Sequence, residues 1–186
     1  MLPRPIFLVG FMCSGKSTLG RALAEYLGVD FIDLDTHIEL LYRATISQIF
    51  ENMGEEGFRK IEAEQLSRLV DNYHNKCVVI ALGGGTPCRN GVMDELNSKG
   101  TTVYLKASVP CLTHRLLLGA STRPLAAGKS PEELTNFAAD KLKERAPFYQ
   151  KAHITFDSSQ LETKDQIAKS AIKLASALDR NLLPST

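Results

Sequence analysis

Apolar residues along this chain follow two patterns that alternate. Short unbroken runs, Pro5-Ile6-Phe7-Leu8-Val9 and Cys77-Val78-Val79-Ile80-Ala81-Leu82, read as strands covered on both faces. Elsewhere apolar residues recur every three or four positions, the spacing of helices with one buried side. Leu19, Leu23 and Leu27 define a first helix that Gly28 is suited to end. Phe31-Ile32-Asp33 predicts a second, short strand. Helical pattern resumes at Thr36 and again near Thr45, where Ile46, Ile49 and Phe50 share a face. Gly54-Glu55-Glu56-Gly57 predicts a turn, and a longer helix from Phe58 carries Ile61, Leu66, Leu69 and Val70. Val92 to Leu96 predicts a short helix stopped at Gly100, followed by strand Thr102-Val103-Tyr104-Leu105. Ser108 can cap the next helix, with Pro110 tolerated in its first turn.

From Gly119 to Lys129 the periodicity breaks. The stretch is polar, contains Arg123-Pro124-Leu125, and has the composition of a mobile lid. Ser130, Pro131 and Glu133 then form a helix-start signature. That helix runs through Leu134, Phe137 and Leu142 and is expected to stop near Pro147. His153-Ile154-Thr155-Phe156 is a last strand, and a helix from about Asp165 carries Ile167, Ile172, Leu174 and Leu178. Strands alternating with helices predict an α/β fold of three layers, a parallel sheet of about five strands between helices. One domain over residues 1–186 is expected, with the lid at about 119–129.

Charge narrows the function. Lys and Arg number 22 against 21 Asp and Glu, so neither a nucleic-acid partner nor a membrane surface is expected. No apolar run reaches membrane-spanning length, and the N-terminus lacks a secretory pattern. Cys13, Cys77, Cys88 and Cys111 are scattered without C-x-x-C spacing, which favours a reducing cytoplasm over a disulfide framework or zinc site.

The chemistry centres on Gly10-Phe11-Met12-Cys13-Ser14-Gly15-Lys16-Ser17-Thr18, which fits G-x-x-x-x-G-K-[ST] between a strand and a helix. In that setting the backbone N–H groups and the helix N-terminus converge on a phosphate, the lysine reaches the outer phosphates, and Ser17 offers its hydroxyl to Mg²⁺. Ligands gather at the carboxyl edge of a parallel sheet. Two further strand ends supply candidates there. Asp33 and Asp35 could hold water on the metal ion and take a proton from an attacking hydroxyl; capping the helix at Thr36 is the alternative role for either. Gly83-Gly84-Gly85 is either a tight turn or a backbone that approaches a ligand closely. Arg59, Arg123 and Arg145, taken singly, read as surface charges.

Taken together, G-F-M-C-S-G-K-S-T, D-L-D, G-E-E-G-F-R, L-G-G-G, R-P-L and E-R-A-P-F-Y, in this order, resemble the shikimate kinases from about Ile6 to Phe156. The resemblance implies a P-loop kinase fold of the nucleoside-monophosphate-kinase kind and transfer of the ATP γ-phosphate to the 3-hydroxyl of shikimate, towards chorismate and the aromatic amino acids. Carried onto this chain, Lys16, Asp35 and Arg123 would be catalytic. Cys13, Ser14, Gly15, Lys16, Ser17, Thr18 and Arg123 would bind ATP. Asp35, Arg59, Gly84, Gly85 and Arg145 would bind shikimate, and Ser17 with Asp33 would hold Mg²⁺. A cytoplasmic monomer is expected. Two positions depart from the family pattern. Cys13 stands where many relatives have Gly or Ala; beside a helix N-terminus and Lys16 its thiol is either activated or an inert small filler of the loop. Asp157 stands where many carry an arginine over the adenine.

Overall fold

The computed structural model describes residues 4–119 and 130–182. Five parallel strands form one sheet in the order β2-β3-β1-β4-β5. They are β1 (Ile6–Val9), β2 (Asp30–Asp33), β3 (Val78–Ala81), β4 (Thr101–Lys106) and β5 (Ile154–Asp157). Among the described residues the helices are α1 (Lys16–Leu27), α2 (Leu34–Tyr42), α3 (Ile46–Asn72), α4 (Val92–Lys99), α5 (Val109–Leu118), α6 (Pro131–Tyr149) and α7 (Lys164–Leu182), with a 3₁₀ turn at Thr86–Cys88.

The alternation of strand side chains sorts the helices onto two faces. Ile6 and Leu8 of β1 join a cluster with Leu19 and Leu23 of α1 and Leu174 and Leu178 of α7. Phe7 and Val9 point the other way, into a larger cluster fed by α2 to α6. All four β1 residues are buried, and each such side chain contributes about 1.5–3 kcal/mol of burial free energy. A strand this apolar belongs in the middle of the sheet, and β1 lies there between β3 and β4. The glycine loop after it therefore opens at the centre of the carboxyl edge.

Three boundaries differ from the sequence pattern. Helix α2 begins at Leu34 because Asp33 caps it, accepting from the Thr36 N–H at 3.4 Å. Only Gly54 of the expected glycine turn leaves helical geometry (φ 70°, ψ 177°), so α3 kinks there and Gly57 stays helical. Helix α6 carries Pro147 inside it and continues to Tyr149; Tyr149 is completely buried, and that packing outweighs the hydrogen bond proline forgoes. Ile172 faces outward, 46% exposed, rather than into the core. The helix starts at Ser108 and Ser130 and the stop at Gly28 are as the sequence predicts.

Candidate active site

One cleft of about 1160 Å³ opens at the carboxyl edge of the sheet. Cys13, Gly15, Lys16, Ser17 and Thr18 of the loop line it together with Asp33, Asp35, Arg59 and Gly84. Arg123 and positions 120–129 of the expected lid lie outside the described residues.

The loop is shaped by two glycines that no other residue could replace without strain. Gly10 has φ 144°, and a Cβ there would stand 2.7 Å from the Leu105 carbonyl oxygen of β4. Gly15 has φ 94°, and its Cβ would strike Leu161. Cys13 also takes a positive φ, 62°. Lys16 folds over the loop, its ammonium donating to the Gly10 and Phe11 carbonyls at 2.9 Å each. Ser14 is buried, and its hydroxyl has no hydrogen-bond partner among the described residues.

Ser17 Oγ donates to Asp33 Oδ2 at 2.5 Å, so Asp33 both caps α2 and meets the loop. Asp35 follows in the first turn of α2. Its carboxyl is pushed up from 3.8 to about 6, by burial first, then by Asp33 and Glu62, against the pull of Lys16, with Glu39 adding a smaller rise. A carboxylate poised this close to neutrality is suited to accept a proton and give it up again.

Arg59 is fixed by Glu62. Its Nη1 donates to Glu62 Oε2 at 3.0 Å, and its guanidinium lies over the Phe58 ring at 5.3 Å. Glu62 is fully buried and takes a second hydrogen bond from Thr86 Oγ1 at 2.5 Å. The triple glycine lets these groups close in. A Cβ on Gly83 would lie 3.1 Å from both Asp35 Oδ1 and Glu62 Oε1, and one on Gly85 would lie 2.9 Å from Arg59 Nη2. Arg145 Nη1 comes within 3.5 Å of the place a Gly84 Cβ would take.

Sequence reasoning missed Glu62, Thr86 and Arg115. Glu62 had a signal, a carboxylate among the apolar positions of α3, three residues after Arg59. Arg115 had none, since a cation in the last turn of α5 looks ordinary. Yet its guanidinium binds the Ser158 and Ser159 carbonyls at 3.0 and 3.1 Å and Glu162 at 2.8 Å, holding that segment beside the loop. Asp157 points into its own turn. Its Oδ1 accepts from Ser159 Oγ and N at 2.6 and 2.9 Å, which lowers its pKa.

Among the described residues no helix is long and apolar enough to cross a membrane, and no group of three or more His, Cys, Asp or Glu is placed to hold a metal.

Known proteins are similar to this one over most of the chain. The shikimate kinase from Parabacteroides distasonis is 47% identical over 162 residues, 87% of this chain and 92% of that one. The crystal structure of shikimate kinase from Bacteroides thetaiotaomicron superposes with a TM-score of 0.85 at 38% identity, covering 95% of this chain and 98% of the other. Shikimate kinase from Acinetobacter baumannii, solved in complex with shikimate, gives 0.81 at 36% identity over 98% and 96% of the two chains. The family model described as shikimate kinase matches residues 12–176, from within the glycine loop to the last helix. With its loop, acids and arginines carried on that shared frame, this chain belongs to the shikimate kinase family.

Proposed function

We propose that this protein is an ATP-dependent shikimate kinase, moving the γ-phosphate onto the 3-hydroxyl of shikimate. The observation that carries this reading is the meeting, around one cleft, of a phosphate loop, a carboxyl near neutrality and an arginine clamped by a buried glutamate.

Phosphoryl transfer asks a protein for alignment and charge compensation more than for covalent chemistry. Each group has a part in that. The loop cradles the ATP phosphates, and Lys16 leaves the Gly10 and Phe11 carbonyls to meet the transferring oxygens. Asp35 grips the shikimate hydroxyls, aims the attacking one and takes its proton. Arg59 and Arg145 hold the carboxylate at the opposite end of the ring with planar two-pronged hydrogen bonds. Glu62 keeps Arg59 in its firing position. Gly84 and Gly85 bring backbone against the ring, and a Cβ on Gly85 would crowd the Arg59 guanidinium at 2.9 Å. Arg123 is assigned to the ATP phosphates, as the family resemblance implies.

The oxygen donors of Ser17 and Asp33, 2.5 Å apart, fit a hard ion that keeps much of its water and leans on substrate phosphates. Mg²⁺ held there, through Asp33 by way of water, would neutralise charge on the phosphates. A monomer at work in the cytoplasm completes the reading, in keeping with four cysteines left as free thiols.

A coupled assay for ADP tests the reading. ATP should be consumed only when shikimate is added, and the product should carry phosphorus on the 3-oxygen by NMR. Turnover with gluconate or a nucleoside monophosphate in place of shikimate would overturn it.

A further inference from the structure

The last turn of α6 carries more than Arg145. Tyr149 lies four residues on, so both side chains leave the same face of the helix. That face packs on the 3₁₀ turn that follows the triple glycine. The Tyr149 ring is fully buried and stacks on Tyr104 at 5.2 Å between centroids. Its hydroxyl donates to the Gly84 carbonyl at 2.6 Å, and the Arg145 guanidinium lies beside the same turn, its Nη1 within 3.5 Å of the place a Gly84 Cβ would take and near enough to the phenol to oppose part of the burial-driven rise in its pKa. Cys88 Sγ approaches the same carbonyl at 3.7 Å. Burial pushes the tyrosine's pKa upward, so the hydroxyl stays neutral and remains a donor across the working pH range.

We infer that Tyr149 is a positioning residue, whose hydroxyl ties the Arg145 guanidinium to the Gly84 carbonyl and so fixes the arginine against the glycine turn. A flexible arginine loses side-chain freedom when it grips a carboxylate. An arginine already held against a buried phenol has lost part of that freedom before the acid arrives. The same bond turns the Gly84 carbonyl away towards the tyrosine. The inference rests on the reading of the cleft as a shikimate site and adds to it a residue that touches neither substrate.

Tyr149→Phe keeps the ring and its stacking and removes only the bridge. Wild-type protein is titrated first with shikimate and with ATP by calorimetry; failure to bind shikimate there counts against the proposed function itself. With wild-type binding in hand, Tyr149→Phe should weaken shikimate about tenfold, the scale of a hydrogen bond to a charged group, while ATP affinity stays within about twofold. A merely structural role would lower the melting temperature and weaken both ligands alike. In an Arg145→Ala background the same substitution should cost about twofold or less, because the two residues act as one unit. Unchanged shikimate affinity in Tyr149→Phe, or a full tenfold loss persisting without Arg145, overturns the inference. If Tyr149→Phe does not fold, a crystal structure of the wild-type shikimate complex decides. The tyrosine oxygen must lie within hydrogen-bond distance of both Gly84 and Arg145, and a gap to Arg145 refutes the bridge.

Discussion

Asp35→Asn should abolish most turnover and at the same time make the protein harder to unfold, both for one reason. The carboxyl sits at about 6 instead of 3.8 because burial and the neighbouring Asp33, Glu62 and Glu39 disfavour its charged form more than Lys16 favours it. At about 1.4 kcal/mol per pH unit, that rise amounts to about 3 kcal/mol stored against the folded state. Partial access to the open cleft and local relaxation reduce it to about 1–2 kcal/mol. The sign follows from proton counts. Between 3.8 and about 6 the folded carboxyl keeps a proton that the unfolded chain has released, so stability falls as pH rises through that window. Above it both states are ionised and the full cost is present; below it both are protonated and the cost is gone. Asparagine imitates the protonated acid at every pH. Thermal melts of variant and wild type should therefore coincide near about pH 4 and separate to about 2–8 °C above about pH 7, at ~2–4 °C per kcal/mol for a domain of this size. Turnover should drop about 10²–10⁴-fold, as for the loss of a general base, and wild-type turnover should itself decline below about pH 6. A melting difference that ignores pH, or a variant less stable than wild type at neutral pH, would refute the account of Asp35.

Gly85→Ala should raise the shikimate KM about tenfold with turnover and melting temperature little changed. The new methyl meets the mobile end of Arg59 at 2.9 Å, and the backbone φ of −91° accepts alanine; a large drop in melting temperature would contradict this. Gly10→Ala is the contrast: at φ 144° with a main-chain oxygen 2.7 Å away, it should destabilise the protein outright, read by chemical denaturation. Lys16→Ala should slow turnover about 10²–10³-fold, the scale for losing one preorganised charge donor, with the shikimate dissociation constant unmoved by calorimetry. Cys13 lines the cleft, so alkylation mapped by peptide mass spectrometry should label it and ATP should protect it; labelling indifferent to ATP would place the nucleotide elsewhere.

The sheet was legible because its signals are local. The runs around Phe7 and Ile80 are apolar on both faces, and Ser130-Pro131 with Glu133 writes a helix start in four residues. Boundaries set by distant contacts were not legible. Pro147 signals a stop, but the pocket that buries Tyr149 keeps α6 going, and nothing near Pro147 in sequence reports that pocket. The site divided in the same way. Lys16, Ser17, Asp33, Asp35, Arg59, Gly84 and Arg145 sit in or beside motifs with fixed spacing, and the fold brings them to one edge. Glu62 and Arg115 act by holding other residues, Arg59 in one case and the carbonyls after β5 in the other. Their meaning lies in partners far along the chain, which a linear pattern does not contain.

The sorting of helices by sheet face has a further consequence. Asp35, Arg59 and Arg145 ride on α2, α3 and α6, all packed into the larger cluster, whereas α1 is rooted in the smaller one on the reverse side. The helix that starts with Lys16 and Ser17 and the helices that carry Asp35, Arg59 and Arg145 are thus seated on opposite faces of the sheet, and Phe11 ties the loop itself into the larger cluster. Recutting the larger layer would therefore alter the groups proposed to meet the acceptor while the seating of α1 against α7 stays in place.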